Sequence, residues 1–158
     1  MSQLLGKELT EDLLDRLKGN DIASQDGKAI LLVTVDEKGW PHPAMISYYE
    51  LVAKDKFRLN LAIGKSGTTA KNLRRTGKVT LVITDKGVNY YLKGNARQIR
   101  EAMSEAPFVS LFRIELEQLL EDQDPDAMIT GGITFQRAEK KDVDKLIETI
   151  FQGVRREP

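Results

Sequence analysis

FRLNLAIGKSGTTAKNLRRTGKVTLVITD, from Phe57 to Asp85, reads as strand, small-residue loop, short helix and strand. In its first part Phe57, Leu59, Leu61 and Ile63 alternate with Arg58, Asn60 and Ala62, the period of a strand with one buried face. Gly64, Lys65, Ser66, Gly67, Thr68 and Thr69 follow, offering backbone N–H groups, three hydroxyls and one cation. Ala70 to Arg75 suits a helix of about two turns, ended by Gly77 before Val79, Leu81 and Ile83 resume the period of two. Unpaired amides at a helix start, with hydroxyls beside them, suit a phosphate. The same residues also make an ordinary cap and loop, so the stretch alone leaves both readings open. A triphosphate-binding loop of the form GxxxxGK[ST] is excluded, because it requires glycine at position 59, which is Leu59.

Outward from that unit, Thr10 is placed to cap a helix over residues 9–18, with Leu13, Leu14 and Leu17 on one face. Ala29 to Val35 predicts a strand, closed by the turn Asp36-Glu37-Lys38-Gly39. A second strand is expected from about Ala44 to Val52, with Pro41 and Pro43 confined to its entry. Asp85-Lys86-Gly87 marks a hairpin turn into a long strand, Val88 to Ile99, where Gly94 suits a bulge. Arg100 to Pro107 reads as a short connection, and Phe112 to Glu117 alternates as a strand. After the acidic loop Glu121 to Asp126, a last strand is expected over Met128 to Phe135. A C-terminal helix over 140–154 puts Val143, Leu146, Ile147, Ile150, Phe151 and Val154 on one stripe, facing the core or a second subunit. Six or seven strands joined mostly by hairpins predict an antiparallel barrel with peripheral helices, in one domain over residues 1–158.

The 158 residues carry 24 Lys and Arg against 24 Asp and Glu, so no global field draws the chain to nucleic acid or anionic lipid. With no cysteine, disulfides, thiolate nucleophiles and Cys-type zinc sites are all excluded. No apolar run approaches the roughly 20 residues of a membrane helix, and a cytoplasmic location is expected. The single histidine, His42, lies in Trp40-Pro41-His42-Pro43, where a turn role competes with a catalytic one. No metal-spaced cluster or nucleophile elbow is present. Lys71, Arg74, Arg75 and Lys78 gather around the short helix, as a local anion site or a solvated face. Catalysis by this chain would need a bound cofactor.

LLVTVDEKGWPHPAMISYY, then FRLNLAIGKSGTTAKNLRRTGKVTLVI and YYLKGNARQI, in that order, resemble the pyridoxamine 5′-phosphate oxidase-like family of FMN-binding split barrels. The likeness runs from about Ala23 to Phe135 and rests on Asp36, Gly39 and Pro41 in the first hairpin, and on Lys71-Asn72-Leu73-Arg74-Arg75 leading into Val79-Thr80-Leu81. It implies an antiparallel split β-barrel that pairs as a homodimer, with FMN in each of two clefts between the chains. By the same resemblance Ala44, Met45, Ile46 and Ser47 would lie along the isoalloxazine, and Ala62, Ile63 and Gly64 would border it. Ser66, Gly67, Thr68, Thr69 and Lys71 would surround the phosphate, with Lys65 as a further cation.

The chain departs from the oxidase pattern in places that matter. Ala44 and Tyr49 stand where the oxidase carries an arginine and a lysine, and Thr69 where it carries a lysine. Each lost charge-assisted hydrogen bond typically removes about 1.5–3 kcal/mol. Weaker FMN binding or a shifted ligand is therefore expected, and oxidation of pyridoxamine phosphate is not. Two functions follow from the resemblance: an FMN-dependent oxidoreductase or flavin-reductase-like homodimer, with NADH or NADPH as candidate electron donor, and a non-catalytic module holding FMN or haem for sensing, storage or stress protection. Haem would require His42 as its axial ligand.

Overall fold

The computed structural model describes the whole chain, Met1–Pro158. Its elements in order are β1 (Ser2–Gly6), α1 (Glu11–Leu17), a 3₁₀ turn (Ile22–Gln25), β2 (Ala29–Val35), β3 (Pro41–Ser47), β4 (Leu51–Ala53), β5 (Arg58–Gly64), α2 (Thr68–Thr76), β6 (Lys78–Asp85), β7 (Val88–Arg100), β8 (Val109–Asp122) and α3 (Lys141–Arg156). All pairings are antiparallel, in the order β3-β2-β6-β7-β8-β5-β4, and β1 adds to the tail of β8. This curled sheet, with β3 and β4 as unjoined edges, is the split-barrel fold expected from the sequence.

Hairpins set most of the order, as the alternating pattern requires. Ile30, Leu32, Leu81, Ile83, Leu92, Phe112, Ile114, Leu59 and Leu61 point inward and fill the barrel. The helices stop its two ends. Leu13, Leu14 and Leu17 of α1 enter near the β6–β7 hairpin, while Ala70 and Leu73 of α2 enter near the end of β2. Thr10 caps α1 by accepting from the Leu13 amide at 3.2 Å. Gly77 ends α2 in the left-handed region, and Asn72 Nδ2 donates to the buried Thr34 Oγ1 at 2.9 Å, fixing α2 against β2.

Strand β5 is buried on both faces. Its inward row joins the barrel core, and Asn60 and Ala62 face α3. Asn60, fully buried, donates to the carbonyls of Val154 (3.3 Å) and Glu157 (2.9 Å), satisfying the end of α3. A smaller core of Val52, Ala62, Met103, Leu111, Phe151 and Val154 pins the C-terminal half of α3 in place.

Several expectations are corrected. The second strand runs from Pro41 to Ser47, not from Ala44 to Val52. Prolines fit because β3 is an edge strand whose outer side needs no N–H. The strand stops at Ser47 because Glu50 captures the Ser47 amide (2.6 Å) and hydroxyl (3.1 Å) in a tight turn, and β4 follows separately. Met128 to Phe135 is not a strand: it meets the sheet through one bridge, Lys28 to Thr134, and through the Ile129 carbonyl, which accepts from the Gly87 amide at 2.8 Å. Gly132 lies so close to Thr84 that a Cβ there would overlap its carbonyl, so this segment packs across the β6–β7 hairpin. Phe57 is half exposed just before β5 rather than in the core. Gly94 does sit at a register shift against β8, where a Cβ would come within 2.6 Å of the Glu115 carbonyl. Eight strands form, since β1 and the three-residue β4 were not anticipated.

Candidate functional site

The link between β5 and α2 turns tightly. The Gly67 amide donates to the Gly64 carbonyl at 3.2 Å, and the Lys65 amide to the Phe108 carbonyl at 2.8 Å. Beyond these, the amides of Ser66, Thr68, Thr69 and Ala70 find no acceptor in the protein. Gly64, Ser66, Gly67 and Thr68 are exposed, so no side chain plugs the turn, while Thr69 is buried against the body. The helix start thus presents free amides and hydroxyls together, which is the electrostatic requirement for an anion.

The cations around the turn are unevenly available. Lys65 Nζ pairs with Glu101 at 3.1 Å. Arg74 is engaged three times: with the Lys65 carbonyl (3.0 Å), Ser110 Oγ (3.1 Å) and Gln98 Oε1 (2.7 Å). It also lies over the Phe112 ring, so its role is to brace the turn from behind. Arg75 donates to the Val35 carbonyl. Lys71 is exposed and takes no partner, leaving it the free cation of this helix start.

On β3 the side chains divide by register. His42, Ala44 and Ile46 lie opposite Thr34, Leu32 and Ile30, on the inward row. Met45 and Ser47 lie on the outward row, and Met45 is 65% exposed. Met45, Ile46 and Ser47 meet around a cavity of about 360 Å³ under α3, bounded by Tyr49, Glu50, the chain from Ile133 to Ala138, and Val143, Ile147 and Ile150 of the helix. Ala62 and Ile63 are buried, the first under α3 and the second in the barrel, so their side chains face the two cores. The candidate residues therefore fall into an exposed polar group at the start of α2 and an apolar group on β3, with Ala62 and Ile63 beneath the surface.

Two polar members of the cavity wall were missed by the sequence. Burial pushes the Glu50 carboxyl above the usual range, against the hydrogen bonds from Ser47. Arg137 stacks over Tyr49 at 5.2 Å and bonds Asp26 at 3.1 Å, with Asp144 at 3.8 Å. Sequence offered no signal for either, because Glu50 fell within the expected second strand and Arg137 in no predicted element. The hydrophobic stripe of the C-terminal helix was the one visible hint, and it turns Val143, Ile147 and Ile150 toward the cavity.

Comparison with known proteins places this geometry. The family model for pyridoxamine 5′-phosphate oxidase matches residues 23–135. The uncharacterised protein YclD of Bacillus subtilis (strain 168) is 30% identical over 128 residues, covering 81% of this chain and 83% of its own. Among solved structures, a candidate pyridoxamine 5′-phosphate oxidase from Lactobacillus delbrueckii superposes with a TM-score of 0.59 at 19% identity, covering 75% of this chain and 98% of that one. An FMN-binding protein from Syntrophomonas wolfei gives 0.53 at 17% identity, over 72% and 88%. HutZ, the haem storage protein of Vibrio cholerae, gives 0.51 at 17%, over 70% and 92%. At these identities the structures share the fold, while the sequence matches carry the kinship. The chain belongs to the pyridoxamine 5′-phosphate oxidase-like family.

Proposed function

We propose that this protein binds FMN and works as an FMN-dependent oxidoreductase or flavin-reductase-like protein in a homodimer. The observation that carries the reading is the helix start with four unpaired amides and no plugging side chain. Gly64 supports it. Its backbone is not in the left-handed region, and an added Cβ would meet nothing within 4 Å, so the fold of one chain gives no reason for glycine there. A ligand seated on the amides supplies the reason, because it needs bare backbone to approach.

The residues present fit a phosphate of moderate affinity. Ser66, Thr68 and Thr69 would add hydroxyl donors to the amides, and Lys71 the one free charge. Lys65 and Arg74 are committed to protein partners and contribute at a distance. Met45, Ile46 and Ser47 would back the ring with an apolar strand surface. Bound FMN supplies hydride and electron transfer; the chain's own part is to orient it, shield it from water and hold its phosphate.

A second copy would have a face to cover. Along β3 and β2 the outward row carries Met45, Pro43, Pro41, Val35, Val33 and Leu31, with Trp40 68% exposed at the turn. Such an apolar face on an unpaired edge calls for a cover. Haem is less well served, because His42 lies on the row with Ala44 and Ile46 rather than on the outward row with Met45.

Titration of purified protein with FMN, followed by flavin fluorescence, tests the reading directly; saturation in the micromolar range is expected. Bleaching of the bound flavin by NADH or NADPH without oxygen supports the enzyme, and its absence supports the non-catalytic module. Light scattering that returns a strict monomer contradicts the homodimer.

A further inference from the structure

The chain between β7 and β8 runs along the turn before α2 and holds Lys65 at both ends. The Phe108 carbonyl accepts from the Lys65 amide at 2.8 Å, and Glu101 Oε1 takes its ammonium group at 3.1 Å. Glu101 is itself set from a fixed backbone. Its carbonyl accepts from Ser110 Oγ at 2.6 Å, and that hydroxyl, on a fully buried residue, accepts in turn from Arg74 Nη2 at 3.1 Å. Ser110 stands opposite Ile63 in the register of β5 and β8, next to the pair of Gly64 with Val109 that opens the turn. The carboxylate is therefore placed by the same brace that carries the turn. Its charge cancels that of Lys65, while Arg74 spends its donors on neutral acceptors behind the turn. Lys71 is left as the one cation beside the unpaired amides. A phosphate monoester carries about −1.5 to −2 near pH 7, so this helix start is undersupplied with positive charge.

We propose that Glu101 sets the charge preference of this turn: it holds Lys65 back from the phosphate and so narrows the preference for FMN over the same ring without a phosphate. The inference rests on the reading of the turn as the seat of the FMN phosphate, and it adds an acid that opposes the ligand. The pair is exposed, 37% at Lys65 and 74% at Glu101, and an exposed pair of this kind contributes little to folding. Its consequence falls on what the turn binds. A dianion must draw Lys65 off its partner and accept a like charge beside it. Riboflavin, which lacks the phosphate, meets neither cost.

The test is fluorescence titration with FMN and with riboflavin, on the wild type, Glu101→Gln, Lys65→Met and the double variant. Glu101→Gln is expected to tighten FMN by about tenfold, the worth of one charge-assisted hydrogen bond, and to move riboflavin by less than about twofold. The ratio of the two ligands is the readout, because a structural loosening would move both. In the Lys65→Met background the same change is expected to gain about threefold or less, since the cation it would release is gone. Unchanged FMN affinity in Glu101→Gln, an equal gain for riboflavin, or a full gain that survives Lys65→Met overturns the proposal and leaves the flavin reading standing. Failure of both the wild type and Glu101→Gln to bind either flavin removes that reading and this inference with it.

Discussion

At the start of α2 the groups that face a ligand are backbone amides, whereas under α3 they are side chains from four separate stretches of chain. The first region is polar, exposed and made of consecutive residues, Gly64 to Lys71. The second is apolar and assembled by packing from β3, the turn at Glu50, the chain from Ile133 to Ala138, and α3. Their supports differ too. The turn is braced from behind by Arg74 and by Asn72 on Thr34, independently of α3. The cavity exists only while Phe151 and Val154 hold α3 on β4 and β5. The turn should therefore survive a loosening of the cavity, although a bound flavin would feel both.

The most damaging way to separate them is Phe151→Ala. This ring is 2% exposed, meets Tyr49 edge-on at 5.5 Å and fills the space beside Gly19. Its truncation should destabilise the fold by about 3–5 kcal/mol, measured by urea unfolding. The folded fraction should hold FMN more weakly as the wall behind the ring loosens, while α2 keeps its protection from hydrogen exchange; unchanged FMN affinity would show that this wall does not seat the ring.

Thr68→Glu cuts the other way. A carboxylate among the free amides should weaken FMN by about 100-fold or more through like-charge repulsion and occupation of the donors. Fluorescence titration reads the loss, and unfolding curves should barely move. Unchanged FMN affinity would place the phosphate elsewhere.

Asn60→Ala sharpens the dependence on α3. Removing the donor to the Val154 and Glu157 carbonyls leaves buried acceptors unpaired, at about 1–3 kcal/mol. Hydrogen exchange should rise first in α3 and remain low in α2. A uniform rise would deny the separation.

Gly64→Ala is the finest probe. With open space around the added methyl, stability should change by less than about 0.5 kcal/mol, while FMN affinity falls by about tenfold. An affinity equal to the wild type would remove glycine's proposed role.

Asp85 gives a baseline away from both sites. Burial raises its carboxyl, but Lys28 at 2.7 Å, Arg16 at 2.8 Å and the Lys86 amide outweigh that, lowering its pKa from 3.8 to about 2. The native state therefore gains stability from this group above about pH 4 and loses it as pH falls toward 2. Acid unfolding of Asp85→Asn should show a shallower slope across that window.

The same contrast explains what was legible in the sequence. The alternation from Leu59 to Ile83, the turn glycines and the cap at Thr10 are local signals, and they gave the hairpin order and the helices correctly. The free amides at Thr68 and Thr69 could be anticipated because a helix start leaves them unpaired wherever it occurs. The cavity could not, since Glu50 comes to matter only when it folds back on Ser47, and Ile133 only when Gly132 lets its strand-like segment lie against Thr84. Tyr48 and Tyr49 were misleading for a physical reason: aromatic residues favour strands, but here they occupy the turn between β3 and β4. Likewise β1 depends on pairing with the tail of β8, a long-range register that its five residues do not encode.

Titration of the purified wild-type chain with FMN is the most direct test of the central claim, that the unpaired amides at the start of α2 seat the phosphate of a flavin. Saturable binding at micromolar FMN, lost in Thr68→Glu with the fold intact, is the predicted result. A wild-type chain that leaves flavin fluorescence unchanged through that range would contradict it.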